Sequence, residues 1–119
     1  MNPNKSIEVL VKIRLKGEQI FWGSGLMRLL ELVDAHQSLK KACEIMEMSY
    51  SKGHKIIKNA EKELGHPLIT SAKGGLKGGG SMLSKEGVCF TDCYREYAKT
   101  MQELGRKEFT TCFQTYLER

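Results

Sequence analysis

Ile7, Val9, Val11, Ile13 and Leu15 alternate with Glu8, Leu10, Lys12, Arg14 and Lys16. A two-residue period is what a strand with one buried face requires. Lys16-Gly17-Glu18 reads as a turn and Gln19-Ile20-Phe21-Trp22 as a returning strand, so an N-terminal β-hairpin is expected over residues 7–22. Gly23-Ser24-Gly25 then breaks the strand, with Ser24 expected as an N-cap. Beyond it the period changes. Leu26, Leu29, Leu30 and Val33 recur at helical spacing and predict a first helix over residues 25–35.

A turn through Ala35-His36-Gln37 leads to Ser38, which is expected to cap a second helix over Leu39–Glu47. Ser49 is expected to cap a third, from Tyr50 to about Glu63, closed by Leu64-Gly65-His66-Pro67. Leu68-Ile69-Thr70-Ser71 and Ser81-Met82-Leu83 are short enough to be the strands of a hairpin around Lys73-Gly74-Gly75-Leu76-Lys77-Gly78-Gly79-Gly80. Ser84 then caps a long helix. In it Phe90, Tyr94, Tyr97, Met101 and Leu104 step by four, three, four and three, a coiled-coil-like seam. The rhythm fails at Gly105-Arg106-Lys107-Glu108 and resumes, shifted, at Phe109, Phe113 and Tyr116. One helix with a break or stutter near Gly105, or two helices, would each fit.

These elements define an α+β fold that is mainly α. The expectation is a winged helix-turn-helix with an N-terminal β-hairpin and a long C-terminal helix. Residues 1–83 are expected to form the winged helix-turn-helix unit, with the helix-turn-helix at 38–64 and the wing at 67–83. Residues 84–119 are expected to form a C-terminal helical segment. A chain of 119 residues is long enough for one modest core.

Composition adds a direction. The hydrophobic fraction of 40% and charged fraction of 28% leave charged surface for a partner. The net charge of +5 is localised. Residues 38–80 hold eight basic against four acidic side chains, whereas residues 81–119 hold six of each. Localised positive charge points to a polyanion, here double-stranded DNA. The first residues lead into the alternating segment rather than a long apolar run, so no secretory leader is expected. No membrane association is expected either, since no stretch approaches about 20 apolar residues. Cys43, Cys89, Cys93 and Cys112 show no disulfide framework and suit a reducing cytoplasm, the expected location.

Within the helix pair, Cys43 and Gly53 supply the small side chains needed where two helices cross closely. Leu39, Ala42, Met46, Met48, Ile56, Ile57 and Ala60 supply the packed side. Tyr50, Ser51, Lys52, His54, Lys55, Lys58 and Asn59 point outward. Residues early in a recognition helix reach base edges, and later ones more often meet phosphate. Tyr50, Ser51, Lys52, His54 and Lys55 are therefore the base-reading candidates, with Lys52 or Lys55 able to donate to guanine O6 and N7. Ser49, with the free N–H groups of the helix start, suits phosphate. Each lysine alone is equally compatible with a solvated helix face, and His54 with packing against the first helix.

The glycine loop lacks the Gly-Lys-Ser/Thr ending of a nucleotide-binding loop. As a wing tip its bare backbone can approach a phosphate, with Lys73 and Lys77 supplying charge; a merely flexible hairpin is the alternative. Cys89 and Cys93 lie one helical turn apart, as two metal-binding or redox-active thiols or as two small packed residues. No nucleophile–base constellation and no histidine ligand pattern are visible, so neither an enzyme, a resident metal nor a cofactor is expected.

Ser38 through Gly65, ending Glu63-Leu64-Gly65-His66-Pro67-Leu68-Ile69, resembles the winged helix-turn-helix of LysR-type regulators without a gap. The closer resemblance is to the DNA-binding domain of molybdate-responsive (ModE-type) regulators. It is carried by Gly23-Ser24-Gly25, by Met48-Ser49-Tyr50, and by Gly74-Gly75-Leu76-Lys77-Gly78-Gly79-Gly80 followed by Leu83-Ser84-Lys85-Glu86-Gly87. The similarity spans roughly residues 7–100. It implies a cytoplasmic, homodimeric, sequence-specific transcriptional regulator that uses the helix from Ser84 onward to dimerise, through Phe90, Tyr94, Tyr97, Met101 and Leu104. That family usually has Gly where Glu47 stands and an aromatic where His54 stands. Its molybdate sites lie in separate C-terminal domains, so no molybdate site is expected within this chain. A protein-interaction scaffold, or a thiol- or metal-responsive regulator using Cys89 and Cys93, is the alternative function.

Overall fold

The computed structural model describes residues 7–71 and 80–119. It is mainly helical, with four helices and two small antiparallel hairpins among the described residues. In chain order the elements are β1 (Leu15–Lys16), β2 (Ile20–Trp22), α1 (Ser24–His36), α2 (Leu39–Ile45), α3 (Tyr50–Leu64), β3 (Ile69–Ser71), β4 (Ser81–Leu83) and α4 (Lys85–Leu117).

Three of the four helices start where a serine can take up a free N–H. Ser38 Oγ accepts from Lys41 N at 2.9 Å, Ser49 Oγ from Lys52 N at 3.1 Å and Ser84 Oγ from Gly87 N at 2.9 Å. The first helix departs from this rule. Its cap is Gly23, with no side-chain hydrogen bond, and Ser24 is already helical. α3 ends at Gly65, whose φ of +81° is the left-handed turn that favours glycine, and whose N–H bonds Glu61 O at 2.8 Å.

The core lies between α1, α2 and α3, where Leu29, Leu30, Val33, Ala42, Ile57 and Ala60 are fully covered. Trp22 seals one side, its ring 4.5 Å from that of Phe90 and 5.9 Å from that of Tyr94. The β3–β4 hairpin pairs Ile69 with Leu83, Thr70 with Met82 and Ser71 with Ser81. Its base is clamped from two directions. Glu61 of α3 accepts from Leu68 N at 2.7 Å, while Ser84 donates from its hydroxyl to Pro67 O at 2.7 Å and from its N–H to Leu68 O at 2.8 Å.

The alternating N-terminal segment holds its period but not the expected partner. Only Leu15–Lys16 pairs with β2, through an irregular register. Upstream, Val9, Val11 and Ile13 turn their half-buried side chains inward, and their backbone groups bond side chains of α4. Gln102 closes on both sides, its Oε1 accepting from Val11 N at 2.8 Å and its Nε2 donating to Val9 O at 2.6 Å. Tyr94 OH donates to Ile13 O at 2.7 Å. Those bonds replace the strand ladder that residues 7–14 would otherwise need.

α4 runs unbroken for 33 residues, so the break considered at Gly105 does not occur. A Cβ at Gly105 would press on Val11 Cγ2, at 2.6 Å, so the glycine admits the N-terminal segment rather than interrupting the helix. At 1.5 Å per residue α4 is about 50 Å long, against an overall long dimension of 64 Å. Its buried residues (Gly87, Thr91 and Tyr94) all lie in the first third. Among the described residues no helix is long and apolar enough to cross a membrane.

Candidate nucleic-acid interface

α2 and α3 are joined by a turn through Met46-Glu47-Met48, in which Glu47 N bonds Glu44 O and Met48 N bonds Cys43 O, both at 3.0 Å. Glu47 has φ +57°, a left-handed conformation that costs a residue with a Cβ roughly 1–2 kcal/mol. Glycine takes it without that cost, a physical reason for glycine at this place in such turns. Where the helices cross, a Cβ on Gly53 would collide with Cys43 Sγ and touch Met48 Sδ at 3.4 Å. Cys43 and Gly53 therefore occupy the close contact that their size predicts. Burial pushes the Cys43 thiol up, away from the reactive thiolate.

With that face of α3 fixed against α2 and α1, the opposite face is set by helical period. Gly53, Ile57 and Ala60 are buried, and Tyr50, Ser51, Lys52, His54, Lys55, Lys58 and Asn59 are all exposed. Ser51, Lys55, Lys58 and Lys62 follow at four, three and four residues and share the middle of the exposed side. His54 does not pack on α1. It is exposed and stacked on Tyr50, with ring centroids 5.9 Å apart and planes 25° from parallel.

Lys62 is absent from the candidates chosen by sequence. Its position two turns beyond Lys55 was the available clue. Lys58 differs from its neighbours, because its Nζ lies 3.1 Å from Glu61 Oε1. The ion pairs formed among the described residues do not involve Lys52, Lys55 or Lys62. Ser49 Oγ accepts the Lys52 N–H, which leaves its hydroxyl proton to donate, and its carbonyl receives Gly53 N–H at 3.1 Å.

Glu61 links this face to the hairpin. Burial alone would raise its pKa, but the Leu68 N–H, the Lys58 ammonium and the Ile69 N–H outweigh that and hold the carboxyl below its ordinary value. The carboxylate thus ties the C-terminal half of α3 to the start of β3. Lys73 and Lys77, the charges expected on the wing, lie outside the described residues. What is described is the stem below them, held in register down to Ser71 and Ser81.

The expected dimerisation seam divides. Phe90 is half-buried on Trp22 and Tyr94 is buried, so both are consumed within the chain; burial pushes the Tyr94 hydroxyl pKa up. Met101 is half-buried. Tyr97 and Leu104 remain free, 52% and 45% exposed. Beyond them Phe113, Tyr116 and Leu117 are also exposed, and Phe109 stacks on Phe113 with centroids 4.4 Å apart. Cys89 and Cys93 are exposed on the same helix, and no group of three or more metal-binding side chains occurs among the described residues.

Comparison of the chain with protein-family models and with the sequences of curated proteins finds no match to either.

Proposed function

We propose that this chain is a winged-helix, sequence-specific binder of double-stranded DNA that regulates transcription in the cytoplasm as a homodimer. The observation that carries the reading is the exposed side of α3. It presents Lys52, Lys55 and Lys62 without acidic partners, behind a first turn that offers Tyr50, Ser51 and His54. That helix is followed by paired strands β3 and β4, and the sequence between them carries Lys73 and Lys77 among glycines. A helix of this character fits the major groove and a basic glycine loop fits the flanking backbone. For the dimer, the available surface is Tyr97, Leu104 and the distal apolar residues of α4, not Phe90 and Tyr94. Two-fold symmetry then calls for a pseudo-palindromic site with half-sites about one helical turn, or a multiple of it, apart.

Titration of the chain with duplex DNA at increasing salt tests the reading. Expected is an affinity that falls linearly in logarithmic coordinates. Lys55→Ala should cost about 1–3 kcal/mol at one base position if it reads guanine, whereas Lys62→Ala and Lys77→Ala should weaken all sequences alike and flatten the salt slope. Absence of any salt-sensitive duplex affinity would overturn it. The exposed distal part of α4 would then favour the second reading, a scaffold for protein partners.

A further inference from the structure

The N-terminal segment has two edges, and α4 occupies one of them. Half-buried Val9, Val11 and Ile13 alternate with exposed Glu8, Leu10 and Lys12, the two-residue period of extended backbone. Neighbouring residues of such a chain aim their N–H and C=O groups at opposite edges. The odd-numbered residues are held by α4. Gln102 takes Val11 N at 2.8 Å and Val9 O at 2.6 Å, and Tyr94 OH donates to Ile13 O at 2.7 Å. The backbone groups of Glu8, Leu10 and Lys12 therefore lie along the other edge, where none of the described residues bonds them. Leu10 is 77% exposed, the most open large apolar side chain among the described residues.

A strand edge of this kind is a template for another strand. The order of residues along it says which strand fits. Paired antiparallel with itself about Leu10, the segment sets Leu10 against Leu10 of a second copy. Glu8 of each copy then faces Lys12 of the other. These three positions share the face turned from α4, and each facing pair exchanges two N–H···O bonds. On the opposite face Val9 meets Val11 of the second copy. Slipping the pairing by one two-residue step sets Leu10 against Lys12 and loses the match. Within the chain, the ion pairs among the described residues involve neither Glu8 nor Lys12.

The edge also opens on a suitable side. Gly105 lies beneath Val11 and Val9; by helical period Gln102 stands on one flank of it, Tyr97 and Leu104 on the other. The edge turned away from Gln102 thus lies toward Tyr97 and Leu104, the exposed part of α4 available for a dimer.

We infer that a second copy of this chain adds its residues 8–12 to this edge, forming a two-fold antiparallel ribbon centred on Leu10. The pairing closes at two copies, because α4 already occupies the other edge of each strand. It rests on the homodimer reading and deepens it by naming a second contact beside α4; it does not depend on DNA.

The test is charge reversal in the full chain, read by analytical ultracentrifugation at low salt. Glu8→Lys and Lys12→Glu should each raise the dimer dissociation constant about tenfold or more, since symmetry turns both cross-strand pairs into like charges. The two substitutions combined should return it to within about threefold of the parent. An effect of net charge alone has another signature. Starting from +5, Lys12→Glu lowers the charge and would tighten association. That result, or a double variant no better than the singles, would overturn the ribbon and leave a homodimer through α4 standing. A parent that stays monomeric at every concentration would overturn both, and leave the edge to a strand of a different protein. Amide exchange gives an independent reading. The Leu10 N–H should exchange more slowly as protein concentration rises, whereas the Val11 N–H, already held by Gln102, should not respond. Exchange at Leu10 that ignores concentration would overturn the ribbon. Because Glu8 and Lys12 are exposed, circular dichroism of the variants should match the parent and separate loss of pairing from loss of the fold.

Discussion

The outer faces of α3 and of distal α4 are both left uncovered by the core, yet they are built differently. α3 shows lysines, a serine and a stacked Tyr50–His54 pair, with only Lys58 neutralised by a neighbour. Distal α4 shows Leu104, Phe113, Tyr116 and Leu117 with few charges between them, Arg106, Lys107 and Glu108. A lysine face tolerates water and gains from an anion; apolar side chains at about half exposure gain from being covered. Under the proposed function the difference gives the two helices separate partners. It also separates their failures: damage on one face should leave the other's partner bound.

The strongest break is expected on α4. Leu104→Glu with Phe113→Glu removes two apolar contacts per chain from the proposed dimer. At about 1.5–3 kcal/mol for each fully buried side chain, the combined loss should reach at least about 3 kcal/mol, more than a hundredfold in the dissociation constant. Analytical ultracentrifugation should show monomers where the parent dimerises, with unchanged helicity. If self-association survives, distal α4 is not the seam and the contrast between the helices loses half its meaning.

A smaller effect is expected beneath the face of α3. Gly53→Ala drives a methyl group into Cys43 Sγ, which is 1% exposed and cannot move aside freely. Overpacking of this kind costs about 1–3 kcal/mol. The urea midpoint should fall with its slope unchanged, while dimerisation of the folded fraction stays at the parent's value. A double substitution with Cys43→Ala should recover part of the loss. Equal stability of parent and Gly53→Ala would mean that the helices do not cross as closely as drawn.

Local chemistry made much of this legible in sequence. Ser38, Ser49 and Ser84 act within one turn of themselves, and the buried stripe of α3 repeats every three or four residues, so neither needs knowledge of distant contacts. What could not be read was the identity of the surface doing the burying. Alternation from Ile7 to Leu15 announces one covered side, but a strand and Gln102 with Tyr94 satisfy the same backbone groups. The Phe90-to-Leu104 spacing announces an apolar stripe, but not that its first part meets Trp22 of the same chain. Gly105 reads as a break because glycine costs a helix about 1 kcal/mol relative to alanine; only the passage of Val11 shows what its missing side chain permits. On the proposed interface, Lys62 lies in the last turn of α3, beyond the turns that reach base edges, so only the helical period from Lys55 places it on the same side.

The mildest effect concerns the joint between the face of α3 and the hairpin. Glu61→Gln keeps a carbonyl oxygen toward Leu68 N but loses the charge that strengthens that bond and holds Lys58, a cost of about 1 kcal/mol. The folded-state pKa of Glu61 is depressed, so its contribution is fully present above the unfolded value near about 4.3 and fades as pH falls through the folded pKa. The stability difference between parent and variant should therefore be constant near neutrality and shrink toward zero in acid. Chemical denaturation across that range measures it. The variant also frees Lys58, so duplex affinity at neutral pH should hold or rise slightly even as the hairpin stem loosens. A difference in stability that persisted undiminished below the folded pKa would show that shape, rather than the carboxylate's charge, holds the hairpin beside the lysines.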